Sequence, residues 1–323
     1  MDYPLVSIVT LTYKKFDYIY STIKSVLNQD YPNIEYIVAD DGSNNFPKED
    51  IESFIKKNSK ANLKRFIIID NKENIGTVKN INRAYKIATG EYIMPLSADD
   101  EFLHKNIVSK IISEFDRRKC DVLITSRLVC DKDLTPLFYL PHLKERAKID
   151  KLDTCEKQYI AMVTYELYEV MSGSVLYMKK KKIEQFGYFD ENYRLLEDAP
   201  FIEKYLRNEK INIAYDIVSI KYRVGGVSYD KVNTILIEDF NKYNRSVLER
   251  SYDLKNAKLK RRLEYTNSFI NNSSIWGRII CYLRKPDIFV KRFFYRIERE
   301  LCKKYDIKYI ENKSNKGINN TII

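Results

Sequence analysis

Through the first third of the chain, short apolar runs alternate with segments of helical spacing. That pattern predicts a parallel sheet joined by crossover helices. Val6–Thr12, rich in β-branched and apolar residues, reads as a strand, as do Ile34–Ala39, Leu63–Ile69, Glu91–Leu96, Asp121–Val129 and Ser174–Met178. Between them, Asp17–Leu27, Lys48–Lys57, Thr77–Ala88, Leu103–Asp116 and Ala199–Leu206 carry helical periodicity. From Asp131 to Lys157 the pattern breaks, and Pro136 and Pro141 punctuate what reads as a surface excursion. From about Val232 the chain reads as helix after helix. The expected organisation is an α/β domain over residues 1–230, with a mostly parallel sheet flanked by helices, followed by a helical, basic C-terminal extension over 231–323.

Composition narrows the chemistry. With 323 residues, 44% of them hydrophobic, the chain can bury one large core. No run of eighteen apolar residues predicts a membrane-spanning helix. Met1–Val9 lacks the features of a secretory signal, so a cytoplasmic protein is expected. Five scattered cysteines form no C-x-x-C pair, and there are only two histidines, His104 and His142. A disulfide framework, a histidine-rich metal centre and a histidine-based triad are all disfavoured. Any chemistry rests on carboxylates.

The formal charge of +11 implies anionic partners. Acids and bases are mixed through the first two hundred residues, with no basic stripe and no nucleic-acid-binding motif, so nucleic acid is not an expected partner.

Three acidic clusters stand out. Asp40-Asp41-Gly42-Ser43 follows the second strand, where ligands bind in an open parallel sheet. The same residues could instead cap a turn. A dinucleotide fold would need a glycine-rich turn after the first strand, but Leu11-Thr12-Tyr13-Lys14-Lys15 stands there. Ser97-Ala98-Asp99-Asp100 follows another strand. Adjacent carboxylates repel unless a cation lies beside them, and hard oxygen ligands suit Mg²⁺ or Mn²⁺ bridging to a diphosphate; the alternative is a solvated loop. Glu197-Asp198 precedes a helix, where a carboxylate can cap the N-terminus or serve as a general base. Position alone leaves both open.

In this order the pieces resemble the family-two glycosyltransferases, which have the GT-A fold. The resemblance runs from Val6-Ser7-Ile8-Val9-Thr10-Leu11-Thr12-Tyr13 through Ser25 to Glu35 and on to Asp40-Asp41-Gly42-Ser43. Asn74-Ile75-Gly76 through Lys79-Asn80, Ala88-Thr89-Gly90, and Ser97-Ala98-Asp99-Asp100 at the D-x-D place continue it. Gly187-Tyr188-Phe189-Asp190-Glu191 and Glu197-Asp198 complete a match over roughly residues 5–225. It implies a sugar-nucleotide donor, with UDP favoured by family frequency, and a saccharide or lipid-linked saccharide acceptor. It further implies that Tyr13 stacks on the base beside Thr12, Asp41 hydrogen-bonds the base, and Lys79 lies near the diphosphate. Asp99 contributes to the donor site and, with Asp100, holds Mn²⁺ or Mg²⁺. Asp198 is the implied base, supported by Glu197, with Ser172 and Gly173 on the acceptor side and inversion as the outcome. Two departures stand out. Ser97 replaces the first aspartate of the commonest D-x-D form, and Tyr222-Arg223 is followed by Val224-Gly225-Gly226 where many relatives carry a histidine. Arg223 or Lys221 could then share neutralisation of the diphosphate.

Outside the resemblance, Trp276 to Lys304 interleaves aromatic and aliphatic residues with Arg and Lys. The composition suits a helix in the headgroup region of an anionic membrane, a peripheral docking at the inner face. A tail that folds back on the domain or forms a dimer interface fits it equally.

Overall fold

The computed structural model describes residues 3–164, 166, 169–226, 233–251, 257–271 and 274–315. Strands and helices first alternate: β1 (Val6–Thr12), α1 (Ile19–Leu27), β2 (Ile34–Asp40), α2 (Lys48–Asn58), β3 (Leu63–Asp70), α3 (Thr77–Ile87) and β4 (Tyr92–Pro95). The middle of the chain adds β5 (Glu101–Phe102), α4 (Ile107–Arg118), β6 (Val122–Cys130), β7 (Pro136–Leu140), α5 (Arg146–Ile149), α6 (Cys155–Val163), β8 (Leu176–Lys179), α7 (Lys180–Phe186), α8 (Asp198–Leu206) and β9 (Asn212–Arg223). Four helices follow: α9 (Thr234–Ser251), α10 (Ala257–Asn271), α11 (Ile275–Arg284) and α12 (Pro286–Asn315).

The sheet runs β3-β2-β1-β4-β8-β6-β9-β5, with β7 paired to the far end of β6. Strands β1, β2, β3, β4, β6 and β9 point one way and β5, β7 and β8 the other, so the sheet is mostly parallel. Helices cover both faces of its centre, so β1, β2 and β6 are buried almost throughout. Strand β3 lies at the edge and carries exposed Lys64 and Arg65, which discourage pairing with another chain. Buried Glu35 ties the sheet to the turn before β4. It accepts from the Ser7 hydroxyl at 2.5 Å and from the Thr89 amide and hydroxyl at 2.8 Å each. Gly90 has no room for a side chain, because a Cβ would fall 2.5 Å from the Ser7 amide nitrogen.

Three expectations change. The helix expected from Leu103 begins at Ile107, because Glu101 and Phe102 pair with Lys221 and Ile220 as β5. The segment from Asp131 to Lys157 is not a mere surface excursion. Its strand β7 pairs with Arg127–Cys130, and Tyr139 is fully buried. Partners far along the chain impose this: Asp306 on α12 accepts from the amides of Tyr139 and Leu143 and meets the His142 ring at 2.7 Å. Strand β9, for which the local pattern predicts nothing, pairs with β6 through two register shifts. The helical reading of the C-terminal region holds. The expected boundary at 230/231 lies outside the described residues.

Candidate active site

The strand order turns at β1: β2 lies on one side and β4, reached by way of β3 and α3, on the other. Such a switch point opens a crevice at the carboxyl ends of the strands. Thr12 ends β1 buried, and Tyr13 emerges exposed beyond it with the Lys14 ammonium 4.8 Å above its ring centre. Asp40 turns onto its own loop, accepting from the Ser43 amide and hydroxyl at 2.6 Å each. Asp41 instead reaches across to the loop before α3. Its two oxygens accept from the amides of Ile75 at 2.9 Å and Gly76 at 3.0 Å, and from Asn74 at 2.9 Å and Asn71 at 3.5 Å. Burial raises its pKa more than these donors lower it. Gly42 has a φ of 77°, and a Cβ there would sit 2.2 Å from the Glu73 backbone, so the two loops are locked together. Every acceptor position of Asp41 is thus taken by protein, and a nucleobase would have to displace one donor. Lys79 lies exposed in the first turn of α3, without an ion pair among the described residues.

Beyond β4, the Thr22 hydroxyl of α1 lies 2.9 Å and 2.7 Å from the carbonyls of Ala98 and Asp100 and fixes the acidic loop. Asp100 is fully buried. One of its carboxylate oxygens accepts from the Arg223 amide at 2.8 Å, and the other has no hydrogen-bond partner. Burial, then the adjacent Asp99, pushes Asp100 well above the usual carboxylate range. Burial raises Asp99 as well, against the opposing charges of Arg223 and Lys15. The Arg223 guanidinium faces inward, donating to the carbonyls of Asp99 and Lys132 at 3.0 Å each and lying 3.7 Å from the centre of the Tyr18 ring. Its role is to hold the acidic loop. The Lys15 ammonium donates to the Gly225 carbonyl at 3.3 Å and draws the turn after β9 toward Asp99.

The third cluster sits at the start of α8. One oxygen of Asp198 accepts from the Gly173 amide and the other from the Ala199 amide, each at 2.7 Å. Glu197 is pushed upward by burial and then by the Asp198 carboxylate. Burial also raises Asp198, but the two amides and the Arg127 charge favour its ionised form. The two backbone donors around Asp198 favour negative charge at that member of the pair. Gly173 lies directly against both, since a Cβ on it would fall 2.9 Å from a Glu197 oxygen and 3.2 Å from the Asp198 Cβ. Ser172 precedes it, with its hydroxyl 3.2 Å from that of Ser174.

Arg127, nearly buried on β6, joins the clusters. It donates to the Glu169 carbonyl at 2.9 Å and lies 4.9 Å from the centre of the Tyr222 ring. Its charge favours the ionised forms of both Asp100 and Asp198. On the other side, Arg194, three residues before Glu197, links the Asp41 loop to the start of α8, donating to the Asn74 carbonyl at 3.1 Å and accepting at its own carbonyl from the Val78 amide at 3.2 Å. The three acidic clusters are therefore structurally joined around one end of the sheet.

A model of glycosyl transferase family 2 matches residues 7–184, more than half of the chain. The chain belongs to glycosyl transferase family 2. A Bacillus subtilis protein, TuaG, provisionally named a teichuronic acid biosynthesis glycosyltransferase, is 28% identical over 172 residues, covering 53% of this chain and 65% of its own. The Escherichia coli UDP-Glc:alpha-D-GlcNAc-diphosphoundecaprenol beta-1,3-glucosyltransferase WfaP is 38% identical over 107 residues, covering 33% of this chain and 40% of its own. Less than two thirds of either relative is spanned. The structure of S. aureus TarS in complex with UDP-GlcNAc superposes with a TM-score of 0.60 at 19% identity, covering 97% of this chain and 92% of that one. The fold is of the GT-A type.

Within this family-2 site, sequence reasoning passed over Arg127, Thr22 and Asp239. Arg127 is the one charged residue in the buried strand β6, a local oddity that could have drawn notice. Thr22 and Asp239 lie in ordinary amphipathic helices and leave no such signal. Asp239 on α9 holds the loop leading to Glu197 and Asp198, accepting from the amides of Arg194 at 2.9 Å, Leu195 at 2.6 Å and Leu196 at 3.2 Å.

Proposed function

We propose that this family-2 protein transfers a sugar from a nucleoside-diphosphate donor, a UDP-sugar, to a hydroxyl of a saccharide or lipid-linked saccharide, with inversion at the anomeric carbon. The observation that supports the reading is the placement of Arg127, which donates to the Ser174 hydroxyl next to Gly173 at 3.4 Å and lies 4.9 Å from the ring centre of Tyr222, the residue before Arg223, whose amide holds Asp100. In this reading the donor-side acidic pair and the basic carboxylate serve one reaction centre. The names of WfaP and TarS, which pair those proteins with UDP-linked sugars, support the choice of donor.

Asp198 receives the proton of the acceptor hydroxyl. The backbone amides of Gly173 and Ala199 aim its oxygens, while burial makes it a stronger base than an exposed aspartate. The acceptor oxygen bonds to the anomeric carbon as the bond to the diphosphate breaks, and the electron pair leaves with the diphosphate. Among the described residues no three acidic, histidine or cysteine side chains gather to hold a metal, so a divalent cation would rest on Asp99 and on Asp100, whose second buried oxygen is unpartnered, with substrate phosphates supplying further ligands. When bound there, it would supply Lewis-acid stabilisation of the leaving diphosphate. The exposed Tyr13 ring offers a stacking surface for the base, and Lys79 a cation near the diphosphate. The region to residue 230 forms the catalytic unit, assisted by Asp239.

A screen of sugar nucleotides with Mn²⁺, Mg²⁺ or chelator, read as nucleoside diphosphate released, tests the reading. One donor turned over above background, with loss on chelation, is the expected result. No release from any donor, with or without a range of saccharide acceptors, overturns it.

A further inference from the structure

Helix α12 has two working faces. One binds the protein body: Tyr295 donates to the Glu166 carbonyl at 2.8 Å, Arg299 pairs with Glu169 and with Glu145, and Asp306 is fully buried against β7. The other face carries Val290, Phe293, Phe294, Ile297 and Leu301, all exposed, at the three- and four-residue steps of a single helical stripe. Phe294 and Leu301 are 62% and 60% exposed, and on the neighbouring α11 Trp276 and Leu283 are 75% and 76% exposed. Nine of the fourteen exposed large apolar or aromatic side chains among the described residues lie on these two helices. The same stripe continues through Lys304 and Lys308, both exposed. Phe294, Ile297 and Leu301 also wall a hollow of about 720 Å³, closed on its other side by Ile149, Leu152 and Val170.

An apolar stripe this concentrated on a water-soluble surface marks an interaction site. Charge selects the occupant. Residues 275–315 hold eleven Lys and Arg against five Asp and Glu. Two such faces would repel each other, whereas an anionic lipid surface attracts one. Among the described residues no helix is long and apolar enough to cross a membrane, so the fitting geometry is a helix lying in the headgroup layer.

We infer that the exposed face of α11 and α12 docks the protein on an anionic lipid bilayer. Docking needs no catalysis and so goes beyond the transfer reaction. The α12 contacts at Glu166 and Glu169 end in the stretch leading to Gly173, whose amide aims Asp198, and the Glu169 carbonyl holds Arg127. The docking face is thus carried on a helix whose opposite face braces the segment leading to Gly173.

Sedimentation of the full chain with vesicles of phosphatidylcholine alone, or mixed with phosphatidylglycerol, tests this. The expected result is co-pelleting with the mixed vesicles at low salt, weak binding to phosphatidylcholine, and release by salt. Phe294→Ser/Leu301→Ser and, separately, Lys304→Glu/Lys308→Glu should each weaken binding by roughly tenfold. Unchanged circular dichroism and melting temperature would show that these variants fold. Absence of binding to the mixed vesicles, or binding equal to wild type in both folded variants, overturns the inference. A wild-type dimer that does not bind vesicles and is split by Phe294→Ser/Leu301→Ser would assign the face to a second copy instead. Nucleoside diphosphate release, measured without lipid on the same samples, reports separately on the transferase reading.

Discussion

The carboxylate of Asp239 lies 2.6 Å from the amide nitrogen of Leu195, and the same oxygen takes the amides of Arg194 and Leu196. One side chain on α9 thus fixes the three residues that lead into Glu197 and Asp198. Asp239→Ala leaves three inward-facing amides without their acceptor. It should lower stability by about 2–4 kcal/mol and depress kcat more than KM for the donor, because the base is displaced while the nucleotide side is not. Denaturant unfolding and steady-state kinetics on the folded fraction check both effects.

Asp198→Asn keeps the shape of the side chain and removes the base. Transfer should fall by about a hundredfold or more, while nucleotide binding is retained. Calorimetric titration with UDP beside a transfer assay separates the two quantities.

The base acts only when ionised, and burial raises its pKa. Consequently kcat/KM should fall as the pH drops, with the midpoint of the acid limb above the ordinary aspartate range. Arg127→Gln removes a charge that favours ionisation, so the limb should move to still higher pH. An unmoved limb would separate Arg127 from the base.

Gly173→Ala places a methyl group within 2.9 Å of a Glu197 oxygen and 3.2 Å of the Asp198 Cβ. The carboxylates must shift, so transfer should drop by about tenfold or more with little change in donor affinity. Kinetics with donor and acceptor varied independently provides the readout.

Much of the sheet was legible because β1 to β4 and their crossover helices follow local periodicity, and the acidic clusters fall where such strands end. Asp131 to Lys157 was not, because its order comes from Asp306, more than 160 residues away. Strand β9 escaped because Asp216 interrupts its apolar run and its pairing shifts register. The site divided likewise. Asp99, Asp100, Glu197 and Asp198 are motif residues and could be named from the chain. Thr22 and Asp239, which hold the loops in place, are chosen by tertiary contact and carry no pattern of their own, whereas Arg127 leaves one local signal, a cation within a buried strand.

Glu35 makes a separate, structural prediction. Burial raises its pKa, but the donors Ser7 and Thr89 and the charge of Arg65 outweigh it and hold the group below its usual value. Its contribution is therefore present above the unfolded pKa and lost as the pH falls through the folded one. Glu35→Gln should reduce stability at neutral pH, and the gap from wild type should close in acid. Melting temperatures across the acid range test the sign.

The central claim is that the Asp99–Asp100 pair and the Glu197–Asp198 pair bracket a single nucleotide-sugar site. The most direct test is an anomalous difference map from crystals grown with Mn²⁺ and UDP. The account predicts a manganese peak against Asp99 and Asp100, with the diphosphate beside it and the open end of the site facing Asp198. A peak elsewhere, or UDP bound on a surface remote from Asp198, would contradict it.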